Sequence, residues 1–429
     1  MSMNIRINSY SFLLFTIICF TIPYIIFFKY KFGKALPLAF ISITFLLFIC
    51  SLLNNFSLFK YFVVVVDLLI IIFVFVQYNK VKNNIYAGLF RYSTLIFIII
   101  YIFLYFILKE RMYVYVDDYG FWGLLVRNGI KNNSLYAPNS SYRNIGSYPP
   151  FLTLLEISFC KLLGVSDAVD GISMLAVSCF VISLFMNLLD RYELKISIKP
   201  ILVSLIIVAC TLTISSNDEV GVFFLYNTTL IDWSMGFLFA YCMYVAFNSN
   251  GLLNDSINLG MCCAALMLTK QVSLPLTILV LVMYFFMQLV NKKLDKKILI
   301  TIMLPIIIYF IWQIQVKLFF NATPLVSSVG TVGRSMNLLE DQTSKTIIGR
   351  FITAFFTKPI VKHPINLSFF SVLILVTIVI TLLGVFCKEK KYYILGTFVF
   401  LGGLGYSFLA PVPVVPLVSL EVFTLLLDL

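Results

Sequence analysis

The chain has 429 residues and a formal net charge of +12, with 61% hydrophobic residues, 12% charged residues and a mean hydropathy of +1.00. A soluble domain is roughly 45–50% apolar and about 25% charged, and no soluble core could bury so much apolar side chain, so a soluble globular enzyme is excluded. Disordered chains are poor in aromatics, and 43 Phe with 24 Tyr exclude disorder as well.

Apolar spans of about 20 residues are predicted near 9–28, 35–53, 61–77 and 92–108. A polar stretch, 110–149, follows. Then come a short apolar segment at 150–164 and spans near 168–189, 200–216, 228–248, 256–270, 272–291, 298–319, 367–386 and 391–410. The end of the sequence, 411–429, starts with Pro411, Pro413 and Pro416 and reads as a tail or partial span. The fold class is all-α: a polytopic helical membrane protein of about 12–14 transmembrane helices with an external loop that carries an interfacial helix.

The positive charge lies in loops. Lys29, Lys31 and Lys34 form one basic loop, and Lys80, Lys82 and Arg91 a second. Arg191, Lys195 and Lys199 form a third, Lys292, Lys293, Lys296 and Lys297 a fourth, and Lys388, Lys390 and Lys391 a fifth. The positive-inside rule places all five in the cytoplasm and accounts for the charge without nucleic acid. The stretches 110–149, 217–228 and 320–366 then lie outside. One parity condition follows. Between Pro150 and Arg191 there are two apolar segments, and two full crossings would return the chain to the wrong side. The short one, 150–164, carries Glu156 and Lys161 and is predicted to be a half-membrane helix. Such elements persist where protein surrounds them.

Catalytic classes narrow further. With a single histidine, His363, a zinc site built on several His ligands is excluded, and there is no phosphate-binding P-loop. The cysteines sit in or beside apolar runs and read as small hydrophobes. The external stretch 110–149 holds adjacent acids, Asp117 and Asp118, just beyond a span. Phe121, Leu124 and Leu125 recur at helical spacing beside Trp122, which predicts a short interfacial helix with Arg127 and Lys131 on its wet side. The stretch closes at Tyr148-Pro149-Pro150, which restricts the backbone before the next helix. Three further groups are placed at the outer side. Asp232 lies at the end of a span, where a carboxylate is tolerated. Lys270 lies between two apolar runs and suits an anionic partner such as phosphate. The stretch 320–366 carries Arg334, Lys345, Arg350, Lys358, Lys362 and His363. Asp67 falls mid-span in YFVVVVDLLIII; it reads either as a proton-relay group or as a partner in a helix interface.

Taken together, VDDYGFW with Asp117 and Asp118, SYPPF with Tyr148, Pro149 and Pro150, YNTTLIDWSM with Asp232, and LTKQVSLP with Thr269 and Lys270 resemble the GT-C superfamily of glycosyltransferases. The resemblance is to the broad type that includes protein O-mannosyltransferases and the aminoarabinose transferases of lipid A, and it covers roughly 105–290. Two departures matter: about four spans precede the acid pair, which marks a divergent branch, and the second acid is Asp118 where Glu is commoner, which leaves open which acid is the base. The resemblance divides the chain into N-terminal helical spans (1–109), a GT-C-like catalytic membrane domain (110–410) and the tail 411–429.

What the resemblance implies is inverting transfer of a sugar from a polyprenyl-phosphate donor on the outer face of a membrane, that of a bacterial cell being the expected one. Asp117 would accept the proton of the acceptor hydroxyl, with Asp118 and Asp232 positioning it. Lys270 and Arg334 would meet the charge of the leaving lipid phosphate. Trp122, Arg127, Tyr148 and His363 complete the expected substrate-binding set. The acceptor is a glycan, a lipid or a protein. No cofactor is required, and a divalent metal on the carboxylates has no positive sign in the sequence. Two rivals remain at this point. A Wzy-like polymerase or O-antigen-ligase-type transferase would rest on Arg334, Arg350 or His363, and a lipid-linked sugar flippase would rest on Asp67.

Overall fold

The computed structural model describes residues 2–113, 122–135, 148–165, 169–194, 199–205, 215–218, 221–224, 229, 231–270, 273–293, 295–320, 359–361 and 367–368, with short pieces between 374 and 397. The chain is an all-α polytopic membrane protein. Among the described residues, five helices are long and apolar enough to cross a membrane: Ser9–Phe28, Phe32–Leu52, Ser57–Val76, Ser273–Val290 and Ile298–Leu318. Tyr92–Leu108, Val169–Ser183 and Trp233–Phe247 are shorter apolar helices. Helices dominate because in lipid each backbone N–H and C=O must find its partner within the chain. The exceptions are two short antiparallel ribbons, β1 (Ser215–Asp218) with β2 (Gly221–Phe224) and β3 (Pro359–Val361) with β4 (Leu367–Ser368). The span expected at 200–216 therefore does not reach residue 216: Ser215, Ser216 and Asn217 are polar and pair across a ribbon instead.

The chain forms two compact units, 1–141 with 150–234, and 142–149 with 235–429. The first holds α1 (Ser2–Phe28), α2 (Phe32–Leu52), α3 (Ser57–Val76), α4 (Tyr78–Leu89), α5 (Tyr92–Leu108), α6 (Gly123–Asn132), α7 (Phe151–Leu163) and α8 (Val169–Ser183), followed by a 3-10 turn at Met186–Leu189. Packing does not divide at residue 109, since α7 lies on α1 and α2, and α8 on α5. The central helix is α2. It is apolar all round and buried accordingly. Its Phe40 meets Phe97, Phe159 and Phe180 with ring centroids 6.0 to 6.2 Å away. In contrast, α3 buries only Phe59, Val63 and Asp67, one stripe at four-residue spacing, and turns its remaining apolar surface outward. Asp67 is on the stripe that packs, where Thr16 Oγ1 of α1 donates to its Oδ2 at 2.9 Å.

The basic loops of this unit converge on one end. Asp190, after α8, accepts the Gly33 and Lys34 backbone N–H groups at 2.8 Å each and the Ser93 hydroxyl at 2.6 Å. It thus supplies from another segment the cap that Lys31, at the start of α2, does not provide. Arg91 pairs with Glu193 at 3.6 Å, and the Tyr92 N–H reaches the Tyr192 carbonyl. The second basic loop is itself helical: Lys80 and Lys82 lie on α4, which the hydropathy pattern passes over because α4 is short and polar. This basic end is opposite the distal end, where α5 finishes and α6 begins. Close approach makes the basic end possible. A Cβ on Gly33 would fall 2.2 Å from the Met186 carbonyl oxygen.

The second unit holds most of α9 (Ile231–Phe247) and all of α10 (Leu253–Met267), α11 (Ser273–Val290) and α12 (Ile298–Phe320). Ser256, Gly260 and Ala264 recur every four residues on α10 and bring it close to α12, as small residues do in membranes. A Cβ on Gly260 would meet the Thr301 Cα at 3.3 Å. Thr301 Oγ1 donates to the Ser256 carbonyl at 3.1 Å.

Two predictions follow. Gly33→Ala forces α2 away from the 3-10 turn and costs ~1–3 kcal/mol; a melting temperature in detergent equal to that of the wild type would show that the close approach is absent. Burial, outweighing its hydrogen bonds from Ser93, Gly33 and Lys34, pushes the Asp190 carboxyl from 3.8 up to about 6. The folded value lies above the unfolded one, so the contribution of Asp190 to stability is full below pH 3.8 and is lost as pH rises through about 6. The melting temperature of Asp190→Asn will lack that decline across this pH window, and an equal decline in both proteins would refute the assignment.

Candidate functional site at the distal end of the first unit

Asp117 and Asp118 lie outside the described residues, as do Arg334 and His363. Both flanks of the acid pair are described, and they are fixed by one side chain. On the first flank, α5 ends at Leu108 and the Arg111 N–H closes a turn onto the Leu108 carbonyl at 2.9 Å. The Tyr113 N–H then donates to Asp170 Oδ2 at 3.2 Å. On the second flank, Trp122 leads into α6, and Arg127 of α6 donates to Asp170 Oδ1 at 2.6 Å while its guanidinium lies 5.7 Å over the Tyr113 ring.

Asp170 reaches both flanks because its neighbour is glycine. A Cβ on Gly171 would sit 1.9 Å from the Leu108 carbonyl oxygen, so only glycine lets the first turn of α8 touch the last turn of α5. The Arg127 and Asp170 side chains are 43% and 13% exposed. An exposed ion pair alone is worth ~0.2–1 kcal/mol. The backbone N–H of Tyr113 adds a second bond to the same carboxylate, and hydrogen bonds to charged groups are the stronger kind, about 1.5–3 kcal/mol. Behind this pair Tyr113 is buried next to Glu156 of α7, itself buried. Burial first, then the charge of Glu156, raises the Tyr113 phenol well above its ordinary value and keeps it neutral.

The far end of α6 is fastened too. Asn133 ends the helix in the left-handed conformation, φ 54°. Its carbonyl accepts the Phe56 N–H at 2.9 Å. Its side-chain amide donates to Asn55 Oδ1 at 3.0 Å and Ser57 Oγ at 2.6 Å, and its Oδ1 accepts from Lys161 Nζ at 2.7 Å. As expected from the sequence, α6 exists and keeps Arg127 and Lys131 exposed. Its buried face is different: Gly123, Val126 and Gly129 pack inward, and Leu124 and Leu125 are only half-buried. The small residues win because α6 lies directly on α7, with Gly129 against Ile157.

The segment 150–164 is a short helix, α7. With 13 residues rising ~1.5 Å each, α7 is ~20 Å long, short of the ~30 Å apolar core of a bilayer. It ends at Gly164, φ +67°, and α8 starts beside it, running antiparallel so that Phe151 meets Phe180 at 5.4 Å. From the distal end, α8 alone returns the chain to Asp190 and the basic end.

Three further expected residues are described. Tyr148 is half-buried and precedes Pro149 and Pro150, the latter at the start of α7. Asp232 lies in the first turn of α9, and its side chain is outside the described residues. Lys270 is half-buried between α10 and α11, where its N–H donates to Ser273 Oγ at 3.4 Å and its carbonyl accepts the Ser273 hydroxyl. Tyr148 and Lys270 belong to the second unit, Trp122 and Arg127 to the first. The residues the sequence reading missed are Asp170, Tyr113 and Asn133. For Asp170 a signal existed: an acid before glycine at the start of an apolar helix, where carboxylates are favoured. The contact of Tyr113 with α8 is long-range and leaves no local trace. No family model, curated protein or solved structure matches the chain.

If Asp170 holds both flanks, Asp170→Asn will speed amide hydrogen exchange in peptides covering 109–113 and 122–132 by about tenfold, the loss of one charged hydrogen bond. Peptides from α2 and α3 will be unchanged. Unchanged exchange in the two flanks would refute the clamp.

Proposed function

We propose that this membrane protein is a glycosyltransferase that moves a sugar from a polyprenyl-phosphate donor to an acceptor on the outer side of a bacterial cytoplasmic membrane, in the making of envelope polysaccharide or another glycan. The observation that carries the reading is the frame at the distal end. The short helices α6 and α7 follow the acid-pair segment, α7 directly after a Pro-Pro element, as short helices after that element would in the GT-C resemblance. Asp170 ties down both ends of that segment, and this is what a carboxylate that must meet a hydroxyl at hydrogen-bond distance requires.

The reaction is inverting. Asp117 takes the proton of the acceptor hydroxyl while the hydroxyl oxygen bonds to C1 of the sugar. The C1–O bond to phosphate breaks, and the lipid phosphate leaves with the electron pair. Asp118 and Asp232 position the acceptor. Lys270 and Arg334 meet the growing phosphate charge. Arg127, Trp122, Tyr148 and His363 remain substrate-binding candidates, Arg127 with its guanidinium already engaged by Asp170. The donor is the lipid-linked sugar, and the acceptor is a glycan, a lipid or a protein. A metal has no assigned role. The Thr16 bond gives Asp67 a place in a helix interface, and its second carboxylate oxygen is buried with no hydrogen-bond partner among the described residues.

Membranes holding the chain will transfer label from radiolabelled polyprenyl-phosphate sugars to a larger product. Asp117→Asn will lower the rate at least 100-fold, the usual share of a positioned base, at unchanged expression. Full activity in both Asp117→Asn and Asp118→Asn would sink the acid-pair mechanism and favour Arg334 and His363. Movement of labelled lipid between leaflets without transfer would favour a flippase.

A further inference from the structure

The other end of the first unit carries a feature that the catalytic reading does not use. At the basic end α4 leaves α3 after a single residue, Gln77, and packs on the end of α1, where Gly88 meets Ile25. Val81 and Gly88 are its buried residues. On the helix surface, residues four apart stand above one another. Tyr78, Lys82, Tyr86 and Phe90 form such a row. Tyr78, Tyr86 and Phe90 are 52%, 57% and 55% exposed, and the Tyr86 and Phe90 rings stack with centroids 4.8 Å apart. Lys80 is exposed on another side of α4, two residues from both Tyr78 and Lys82, and Lys29 and Lys31 are exposed on the loop after α1.

Charge at this end is one-sided. Segments 29–34 and 77–92 contain no acid. The nearby acids are committed elsewhere: Asp190 is buried on the start of α2, and Glu193 pairs with Arg91. Among the described residues no carboxylate forms an ion pair with Lys29, Lys80 or Lys82. Aromatic rings with a polar edge settle at the headgroup level of a bilayer, and clustered lysines beside them attract anionic headgroups.

We infer that α4 is an interfacial helix that binds the phosphate groups of anionic phospholipids, with Tyr78, Tyr86 and Phe90 resting in the headgroup layer and Lys29, Lys80 and Lys82 meeting the phosphates. The site is at the end opposite the proposed catalytic frame and is independent of it.

The test uses the full chain in detergent, titrated with phosphatidylglycerol, phosphatidylcholine or inorganic phosphate and followed by melting temperature and by native mass spectrometry of retained lipid. Phosphatidylglycerol alone will raise the melting temperature of the wild type and will remain bound. Lys80→Gln with Lys82→Gln will weaken that binding by about fivefold for each lysine. Lys292→Gln with Lys293→Gln, on the second unit, will leave it unchanged. At about 1 M salt, where charges are screened beyond ~3 Å, wild type and the Lys80/Lys82 variant will converge. An equal rise with phosphatidylcholine or inorganic phosphate, no rise at all, or full binding by the Lys80/Lys82 variant would each overturn the assignment.

Discussion

The first unit depends on α8 being pinned at both ends. At the distal end its backbone comes so near α5 that a Cβ on Gly171 would lie 1.9 Å from the Leu108 carbonyl oxygen, and Asp170 beside it holds Tyr113 and Arg127. At the basic end Asp190 gathers the starts of α2 and α5. Between these acids the contacts are apolar and non-directional, such as the rings around Phe40. In a bilayer, apolar contact does little to choose one helix register over another, since lipid tails are as apolar as leucine. The two carboxylates supply the direction that the apolar packing lacks.

How much of this was legible in the sequence follows from the same division of labour. The long spans are visible because apolar length is a local property, and α1, α2, α3, α11 and α12 lie where the hydropathy places them. The shortness of α7 was legible too, because the apolar run at 150–164 is cut off by Pro150 and Gly164. What was hidden is what tertiary contact decides. Nothing local distinguishes the Gly123, Val126 and Gly129 face of α6 from its Leu124 and Leu125 face until α7 is laid against it. Likewise α4 is too polar to register as a span, yet it is ordered by its seat on α1. Of the site, the acid pair and Tyr148-Pro149-Pro150 were readable as motifs. Asp170 was readable only as an acid at a helix start, since its role as a clamp lies in two contacts 57 and 43 residues away.

Asp67 shows why an acid inside a span needs its surroundings before it is given a task. By position alone it is a functional candidate. Its setting favours a structural account: α3 packs through one narrow stripe, and Asp67 is the polar member of that stripe, held by Thr16. The Thr16 bond is a directed contact in an otherwise apolar face, and buried polar groups of this kind set register in some helical assemblies.

The two ends of the first unit are chemically opposite, and this separation has a functional logic. The basic end offers lysines and exposed rings with few acids to oppose them, which suits an anionic membrane surface. The distal end offers Asp170, Glu156 and the acid-pair segment, supported by Arg127, Lys161 and Asn133, whose positive and amide groups are already bonded to partners within the unit. Among the described residues at that end, Arg111 and Lys131 are exposed and form no ion pair.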